Sequence, residues 1–182
     1  MGYDLNILAQ TAKQLGAFAA GVLNAADIRF DENFRAACEQ NYCGKYGTNW
    51  MCPPGVGEFE RLKAKALSYS KGVVFQTVYQ MEDSFDFEGM TKAADIHEDV
   101  FRKILDYIRT DGSYPPVFAL NAGQCKVCKE CTYPTGQPCR LPQKAVASVE
   151  AYGIDVNALL GLCGIPYNNG TATVSYVGLF LF

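Results

Sequence analysis

Four cysteines in the middle of the chain have the spacing of an iron–sulfur ligand set. Cys125, Cys128 and Cys131 are followed by Cys139, which gives the pattern C-x2-C-x2-C-x7-C. Thiolates at this spacing wrap one face of a cubane cluster, as they do in the bacterial ferredoxin run C-x2-C-x2-C-x3-C-P, although the last interval is longer here. We therefore expect a [4Fe-4S] cluster in the cysteine loop at residues 123–142.

Zinc is the main alternative occupant of this loop. A structural zinc ion holds four ligands, with sulfurs at about 2.3 Å, and usually takes two from each of two separated C-x2-C knuckles. Three ligands from one tight loop suit a cluster better, but zinc stays open, as do free or redox-paired thiols. Basic side chains nearby would offset the charge of a thiolate-ligated cluster, or they are ordinary solvated loop charges; they are Lys126, Lys129, Arg140 and Lys144.

A second group of thiols lies nearer the amino terminus. Cys38, Cys43 and Cys52 fall in a loop at residues 38–55 that contains glycines, two prolines and the only tryptophan of the chain. Glycine and proline allow a chain to turn tightly around an ion or a cluster. Spacing alone supports three inert, buried cysteines equally well. If the three are ligands, they hold a second cluster, or the two loops share one site.

Two further residues can do chemistry but lie in apolar stretches. Cys163 follows three leucines, where a buried structural cysteine is the commoner outcome, although as a ligand it would complete two four-cysteine sites. His97 is the only histidine and lies on the apolar stripe of a long helical segment. We expect a hydrogen-bonded core residue at that position rather than a ligand or a proton relay.

Composition excludes several classes of function. The 182 residues include 16 Lys and Arg against 19 Asp and Glu, for a net charge of −3, so the broad positive field needed for nucleic-acid binding is missing. One histidine and no nucleotide-binding glycine fingerprint leave little scope for a histidine-based hydrolase or a dinucleotide cofactor. No membrane span or signal peptide is readable, which predicts a cytoplasmic protein. Eight cysteines in a reducing compartment indicate metal ligation or redox chemistry.

The elements that must position these loops follow from the hydrophobic periodicity. Helical spacing covers residues 3–15, 59–69 and 87–110, and apolar or β-rich runs predict strands at 17–23, 73–79, 117–120 and 171–182. We also expect a helix from Pro142 to near Gly153 and a short one capped by Asp155.

This order of elements predicts an α/β fold in a single compact domain, residues 1–182. A strand, a long helix and another strand favour a parallel pair, and the last strand is apolar on both faces, which requires helices on both sides. We therefore expect a mixed sheet of four or five strands flanked by helices. Both cysteine loops should lie at one edge of this sheet.

Three separate blocks of the chain resemble one known family. They are Cys43-Gly44-x-Tyr46-Gly47-x2-Trp50-x-Cys52-Pro53-Pro54, the C-x2-C-x2-C-x7-C-R-x-P block, and Ser148-x-Glu150-Ala151-Tyr152-Gly153-Ile154-Asp155-Val156. In this order they are similar to domain of unknown function 2284, a family of metal-binding proteins, and the resemblance extends from about Phe34 to the last strand. It implies a cytosolic prokaryotic protein, from an anaerobe, whose paired cysteine blocks bind iron–sulfur or another metal. It implies no substrate.

Two classes of function remain. In the first, a cluster near the surface of the central loop exchanges electrons with a partner protein, and hydrogen bonds and burial set its potential. In the second, zinc or a permanently oxidised cluster organises the two loops as a structural or regulatory interaction module. An iron–sulfur enzyme acting on a small molecule would require an open iron at the amino-terminal thiols.

Overall fold

Five α-helices and four strands make up the part of the chain that the computed structural model describes, residues 3–182. Every predicted strand is present, and the three long helical predictions are confirmed. In chain order the elements are α1 (Leu5–Gln14), β1 (Ala19–Asn24), α2 (Glu32–Glu39), α3 (Phe59–Leu67), β2 (Lys71–Gln80), α4 (Phe87–Asp111), β3 (Phe118–Leu120), α5 (Val156–Gly161) and β4 (Thr173–Leu181).

The sheet confirms the α/β class but differs from the mixed sheet that we expected. Its order is β1-β2-β4-β3, and every neighbouring pair is antiparallel. The carboxy-terminal strand β4 lies between β2 and β3, so these two strands run in the same direction without pairing. This is a split βαβ arrangement, in which the doubly apolar strand takes the buried central place.

Two apolar cores pack on the two faces of this sheet. Successive residues of β2 contribute to different cores. Val73 and Phe75 face the side covered by α1 and α4, and Val74 faces the side covered by α3 and α5. Likewise Phe180 packs on the first side and Leu179 on the second. The prediction that helices cover both faces is confirmed.

The helix that we expected from Pro142 does not form. Residues 142–144 make a turn, the next residues are irregular, and only a 3₁₀ turn at Glu150–Tyr152 follows. The backbone here is hydrogen-bonded to the residue that follows β3 and cannot also form helical hydrogen bonds. Asn121 N donates to Ala147 O at 2.9 Å, and Val149 N donates to Asn121 O at 2.9 Å. The run Val146–Val149 is buried by this pairing.

The structure also contains a helix that the periodicity did not indicate. Cys38 lies in the last turn of α2 rather than in a loop, and the Asp31 side chain caps that helix by accepting from Asn33 N at 2.9 Å. The predicted cap of α5 is confirmed, since Asp155 Oδ1 accepts from Ala158 N at 2.9 Å. Within residues 3–182, no helix is long and apolar enough to cross a membrane.

Candidate metal centre

The four cysteines of the central block line one cavity. Cys125, Cys128, Cys131 and Cys139 all contribute to its wall, and each is half-buried. The block follows β3 directly, so it lies at the edge of the sheet where we expected it. All eight cysteines are free thiols. The donor set that the spacing predicts is therefore gathered around a single space.

The remaining wall of the cavity comes from both cysteine loops. Apolar side chains complete it, and they are Trp50 and Met51 from the first loop and Val127, Leu141 and Ala145 from the second, with Asn49 as a polar neighbour. A thiol-lined space with apolar walls suits a thiolate-ligated cluster, whose potential depends on burial and on the hydrogen bonds to its sulfurs.

Trp50 joins the two loops. Its indole Nε1 lies 3.1 Å from Gln137 O and 3.3 Å from Thr132 Oγ1, and its ring meets the Tyr133 ring edge-on at 4.9 Å between centroids. Gly55 allows this approach, because a Cβ at that position would lie 2.8 Å from the Tyr133 ring. The first loop is thus fixed against the second at the wall of the cavity.

Helix α4 holds the second loop from the other side. The Lys126 ammonium pairs with Asp95 at 2.6 Å, immediately beside Cys125 in sequence. Farther along the helix, Arg102 Nη1 donates to Lys144 O at 2.9 Å and Arg109 Nη2 donates to Gln143 O at 3.2 Å. One polar stripe of the long helix therefore fixes both ends of the cysteine block.

A buried network links α4 to the residue that follows β3. Asn121 Nδ2 donates to Glu98 Oε2 at 2.6 Å, which leaves Asn121 Oδ1 to accept from His97 Nε2 at 2.9 Å. The other imidazole nitrogen, Nδ1, then accepts from the Thr77 hydroxyl at 2.8 Å. His97 is therefore a satisfied core residue, as we expected, and it makes two hydrogen bonds.

This environment keeps the imidazole neutral. Burial lowers the pKa of His97 to about 4, the hydrogen bond that His97 donates to Asn121 Oδ1 opposes that shift, and the Lys126 charge adds to it. The ring also stacks on Phe75 at 5.3 Å between centroids. A neutral imidazole with both nitrogens occupied has no free position for a metal.

The three amino-terminal cysteines lie at the end of α2 and in the loop that follows it. Burial raises the pKa of the Cys38 thiol, and the neighbouring thiols of Cys43 and Cys52 raise it further. The loop folds back on itself, since Gly47 N donates to Pro53 O at 2.9 Å. Cys43 is exposed, and the other two are half-buried. We call Cys38, Cys43 and Cys52 the amino-terminal trio.

Cys52 connects the trio to the central block. Burial raises the pKa of its thiol, the hydrogen bond of Asn49 lowers it, and both Cys43 and Cys125 raise it. Its sulfur therefore lies within electrostatic range of both groups. Trp50 and Met51, which precede Cys52, line the central cavity, so the end of the first loop lies beside the central block.

Arg35 lies beside the trio, and the sequence analysis did not select it. The residue is only 8% exposed, and it lies one helical turn before Cys38 on α2. Nη2 donates to Gly57 O, whereas Nη1 is buried without a hydrogen-bond partner. Arg35 precedes Cys38 by three residues, a spacing that places both on one face of a helix. This signal could not be used, because α2 itself was not predicted.

Cys163 stands apart from the other seven cysteines. It packs against β1, where a Cβ at Gly21 would lie 2.7 Å from its sulfur, and that sulfur contacts Val22 O at 3.4 Å. Burial alone raises the pKa of this thiol, with no contribution from another cysteine. Strand β1 is at the opposite edge of the sheet from β3, so the structural interpretation of Cys163 fits its position.

The donor chemistry fits an iron–sulfur or zinc group, although the thiols do not already form a compact ion site. Between Tyr3 and Phe182, no three His, Cys, Asp or Glu side chains are grouped as the ligands of one metal ion. The four central thiols instead stand around the wall of the cavity. Thiolates are ligands of both zinc and iron–sulfur clusters.

The fold and the site together define an α/β protein with a thiol-lined pocket at one edge of its sheet. The chain belongs to the family described as predicted metal-binding protein, domain of unknown function 2284, whose profile matches residues 21–182. This confirms the family that the three sequence blocks indicated. No curated protein matches the chain.

One solved structure with a similar chain path is an epoxyqueuosine reductase from Bacillus subtilis. The two chains are 10% identical, with a TM-score of 0.47, over 97% of this chain and 44% of the other. The chain thus spans less than half the length of that protein. A likeness at this level does not transfer a function.

Proposed function

We propose that this protein is an iron–sulfur redox protein that holds a [4Fe-4S] cluster in the cavity of the central block. Its ligands are Cys125, Cys128, Cys131 and Cys139. The observation that carries the proposal is that these four thiols, and no other cysteine, line one cavity. The family supports metal binding, and the type of metal group is our proposal.

The surroundings of the cavity support a redox role. A cluster bound there supplies a one-electron redox centre. Trp50 and Met51 form one side of the cavity wall, while Lys126, which pairs with Asp95, brings a positive charge next to Cys125 in sequence. Apolar burial favours the less charged state and a nearby cation favours the more negative one, so these side chains set the potential in opposite directions.

Electron exchange with a partner protein is the use that this position suits best. The four ligands are half-buried, and Leu141 at the cavity wall is 39% exposed. An electron can therefore enter from a donor docked over this edge and leave to an acceptor at the same place. We propose a redox partner protein and a cytoplasmic location.

Anaerobic spectroscopy tests this proposal. The purified protein should show broad absorbance near 400 nm that dithionite bleaches and that air or an added oxidant restores. Cys131→Ser should lose most of this absorbance, since one of four ligands is missing. Cys163→Ser is the matched control and should keep it, because Cys163 packs against β1.

A colourless protein that retains zinc would overturn the redox function. It would favour the second class, in which a structural zinc ion organises the two loops as an interaction surface.

A further inference from the structure

We propose that the basic rim of the central cavity is the docking surface for an acidic one-electron carrier protein. The basic rim consists of four side chains, Lys126, Lys129, Arg140 and Lys144. This inference rests on the proposed function, since it names the chemistry of the redox partner. That partner presents carboxylates around its own redox centre.

All four cations of the basic rim lie beside the wall of the cavity. Each is the immediate sequence neighbour of a residue that lines the wall, and these wall residues are Cys125, Cys128, Cys139 and Ala145 in turn. All four basic residues are exposed. Their charges therefore lie next to the place from which an electron would leave the proposed cluster.

Carboxylates of the same chain leave most of this charge unpaired. Glu130 is the only acid in residues 123–145. Of the basic rim only Lys126 forms an ion pair within residues 3–182, and the side chain of its partner Asp95 is 67% exposed. A solvated pair of this kind contributes little to stability, so Lys126 can exchange Asp95 for a carboxylate of a partner.

The rest of the chain has an excess of acids. The net charge of the chain is −3, although residues 123–145 contain four basic residues and one acid. A separate groove beside α2 is lined by Glu32, Glu39 and Glu58. An acidic protein is therefore repelled by much of the surface and attracted to the basic rim. Charge complementarity of this kind raises association rates more than affinity.

An apolar contact lies within the basic rim. Leu141 lines the cavity directly after Arg140 and is 39% exposed. A small apolar centre with a charged surround is the anatomy of a protein–protein interface, and electron-transfer complexes use small ones. Four cations on a protein of negative net charge do not form the extended positive surface that a nucleic-acid backbone requires.

Two electron acceptors of opposite charge test the proposal, an acidic blue-copper protein and a basic cytochrome c. Both oxidise a cluster that dithionite has reduced. The reduced cluster loses one electron, and Cu(II) or haem Fe(III) gains it. Stopped-flow absorbance gives both rates once excess dithionite is removed. The rate with the acidic acceptor should fall about tenfold between about 10 mM and about 300 mM salt.

Lys129→Glu/Lys144→Glu reverses two charges of the basic rim without changing a proposed ligand. At about 0.1 M salt it should slow the reaction with the acidic acceptor about tenfold and accelerate the reaction with cytochrome c. Lys13→Glu/Lys71→Glu is the matched control. Both of its lysines are exposed, on α1 and at the start of β2, and the net charge changes equally. It should leave both rates within about twofold of the wild type.

Binding is measured with a pair that exchanges no electron, the oxidised protein and the Cu(I) form of the acidic acceptor. Calorimetry should give a Kd about tenfold higher for Lys129→Glu/Lys144→Glu than for the wild type. An unchanged Kd and an unchanged rate would overturn the docking surface. Tighter binding of single-stranded poly(A) than of the acidic acceptor would overturn the assignment to a protein partner.

Cations that only offset the charge of the cluster would give a different result. The midpoint potential of Lys129→Glu/Lys144→Glu would then shift and the rates with both acceptors would change in the same direction, which would overturn docking. A wild-type protein without a dithionite-reducible cluster would refute the proposed function, and the docking surface with it. A reducible cluster in all three proteins, together with equal rates, would refute the docking surface alone.

Discussion

The imidazole of His97 is held in one protonation state by three neighbours. Glu98 fixes the orientation of Asn121, Asn121 fixes the proton on Nε2, and the Thr77 hydroxyl occupies Nδ1. A second proton, on Nδ1, would face the Thr77 hydroxyl, which already donates to that nitrogen. Protonating His97 in the folded protein costs free energy, because the charged imidazolium would be buried.

Acid should therefore destabilise the protein through His97. Its pKa is about 4 when folded and about 6.5 when unfolded, so the unfolded chain takes up a proton first as the pH falls. The stabilisation is complete above about pH 6.5 and is lost towards pH 4, by about 3 kcal/mol at that point. Denaturant unfolding measured across this range should show the loss in the metal-free protein.

His97→Gln supplies the comparison, because its amide is neutral at every pH. The variant should be less stable at neutral pH but should lose about 3 kcal/mol less on acidification than the wild type. Equal slopes for the two proteins would contradict a neutral, buried His97.

Helix α4 acts as the support of the second cysteine loop through one stripe of polar residues. Asp95, Glu98, Arg102 and Arg109 all contact the segment between β3 and the 3₁₀ turn at Glu150–Tyr152, directly or through backbone carbonyls. The contacts differ in burial. The side chains of the Arg102–Glu98 pair are 27% and 19% exposed, whereas Asp95 is 67% exposed.

Glu98→Gln should cost more than Asp95→Asn. The Glu98 carboxylate accepts from both Arg102 and Asn121, so its loss should lower the free energy of unfolding by about 2 kcal/mol. Asp95→Asn removes a solvated ion pair and should cost less than about 1 kcal/mol. Urea unfolding of the two variants measures the difference, and the reverse order would show that the buried network does not support the loop.

Trp50 supports the cavity from the first loop. Trp50→Phe keeps an aromatic ring against Tyr133 but removes the indole donor to Gln137 O and Thr132. We expect the variant to lose bound metal to a chelator faster, while its stability falls by only about 1 kcal/mol. Tyr42→Phe is a control on the same loop, since Tyr42 is 89% exposed. Unchanged metal release in Trp50→Phe would mean that the two loops hold the metal independently.

Neither apolar core of the molecule contains any of the seven cysteines of the amino-terminal trio and the central block. The three largest fully buried side chains, Phe75, Phe101 and Phe180, belong to the sheet and to helix α4, which covers it. Metal-free protein should therefore keep its far-ultraviolet circular dichroism and unfold cooperatively. Hydrogen exchange should rise mainly in the two cysteine loops. Loss of all structure on chelation would contradict this separation of core and site.

The sequence predicted those parts of the fold that local pattern determines. The apolar stripe of α4 and the doubly apolar β4 could be read directly, as could the cysteine spacing. The position of β4 between β2 and β3 could not be predicted. Strand order depends on which pairing buries the most apolar surface in the whole fold, and no single segment of sequence determines that. The run Val146–Val149 was assigned to a helix because its pairing with Asn121 is a tertiary contact.

The candidate site divides in the same way. The central thiols were predicted to share a site from spacing alone, and the fold places them around one cavity. Arg35 was missed because its burial depends on Gly57, 22 residues away, which accepts its hydrogen bond. The contact of Trp50 with the second loop joins residues 87 apart, which no local pattern can show.

Metal analysis of anaerobically purified protein tests the account most directly. Iron, acid-labile sulfide and zinc should be counted per chain, for the wild type and for Cys128→Ser/Cys131→Ser. The account predicts at least four irons with matching sulfide in the wild type, since one cubane holds four, and about four fewer in the variant. Zinc without sulfide in both proteins would contradict it.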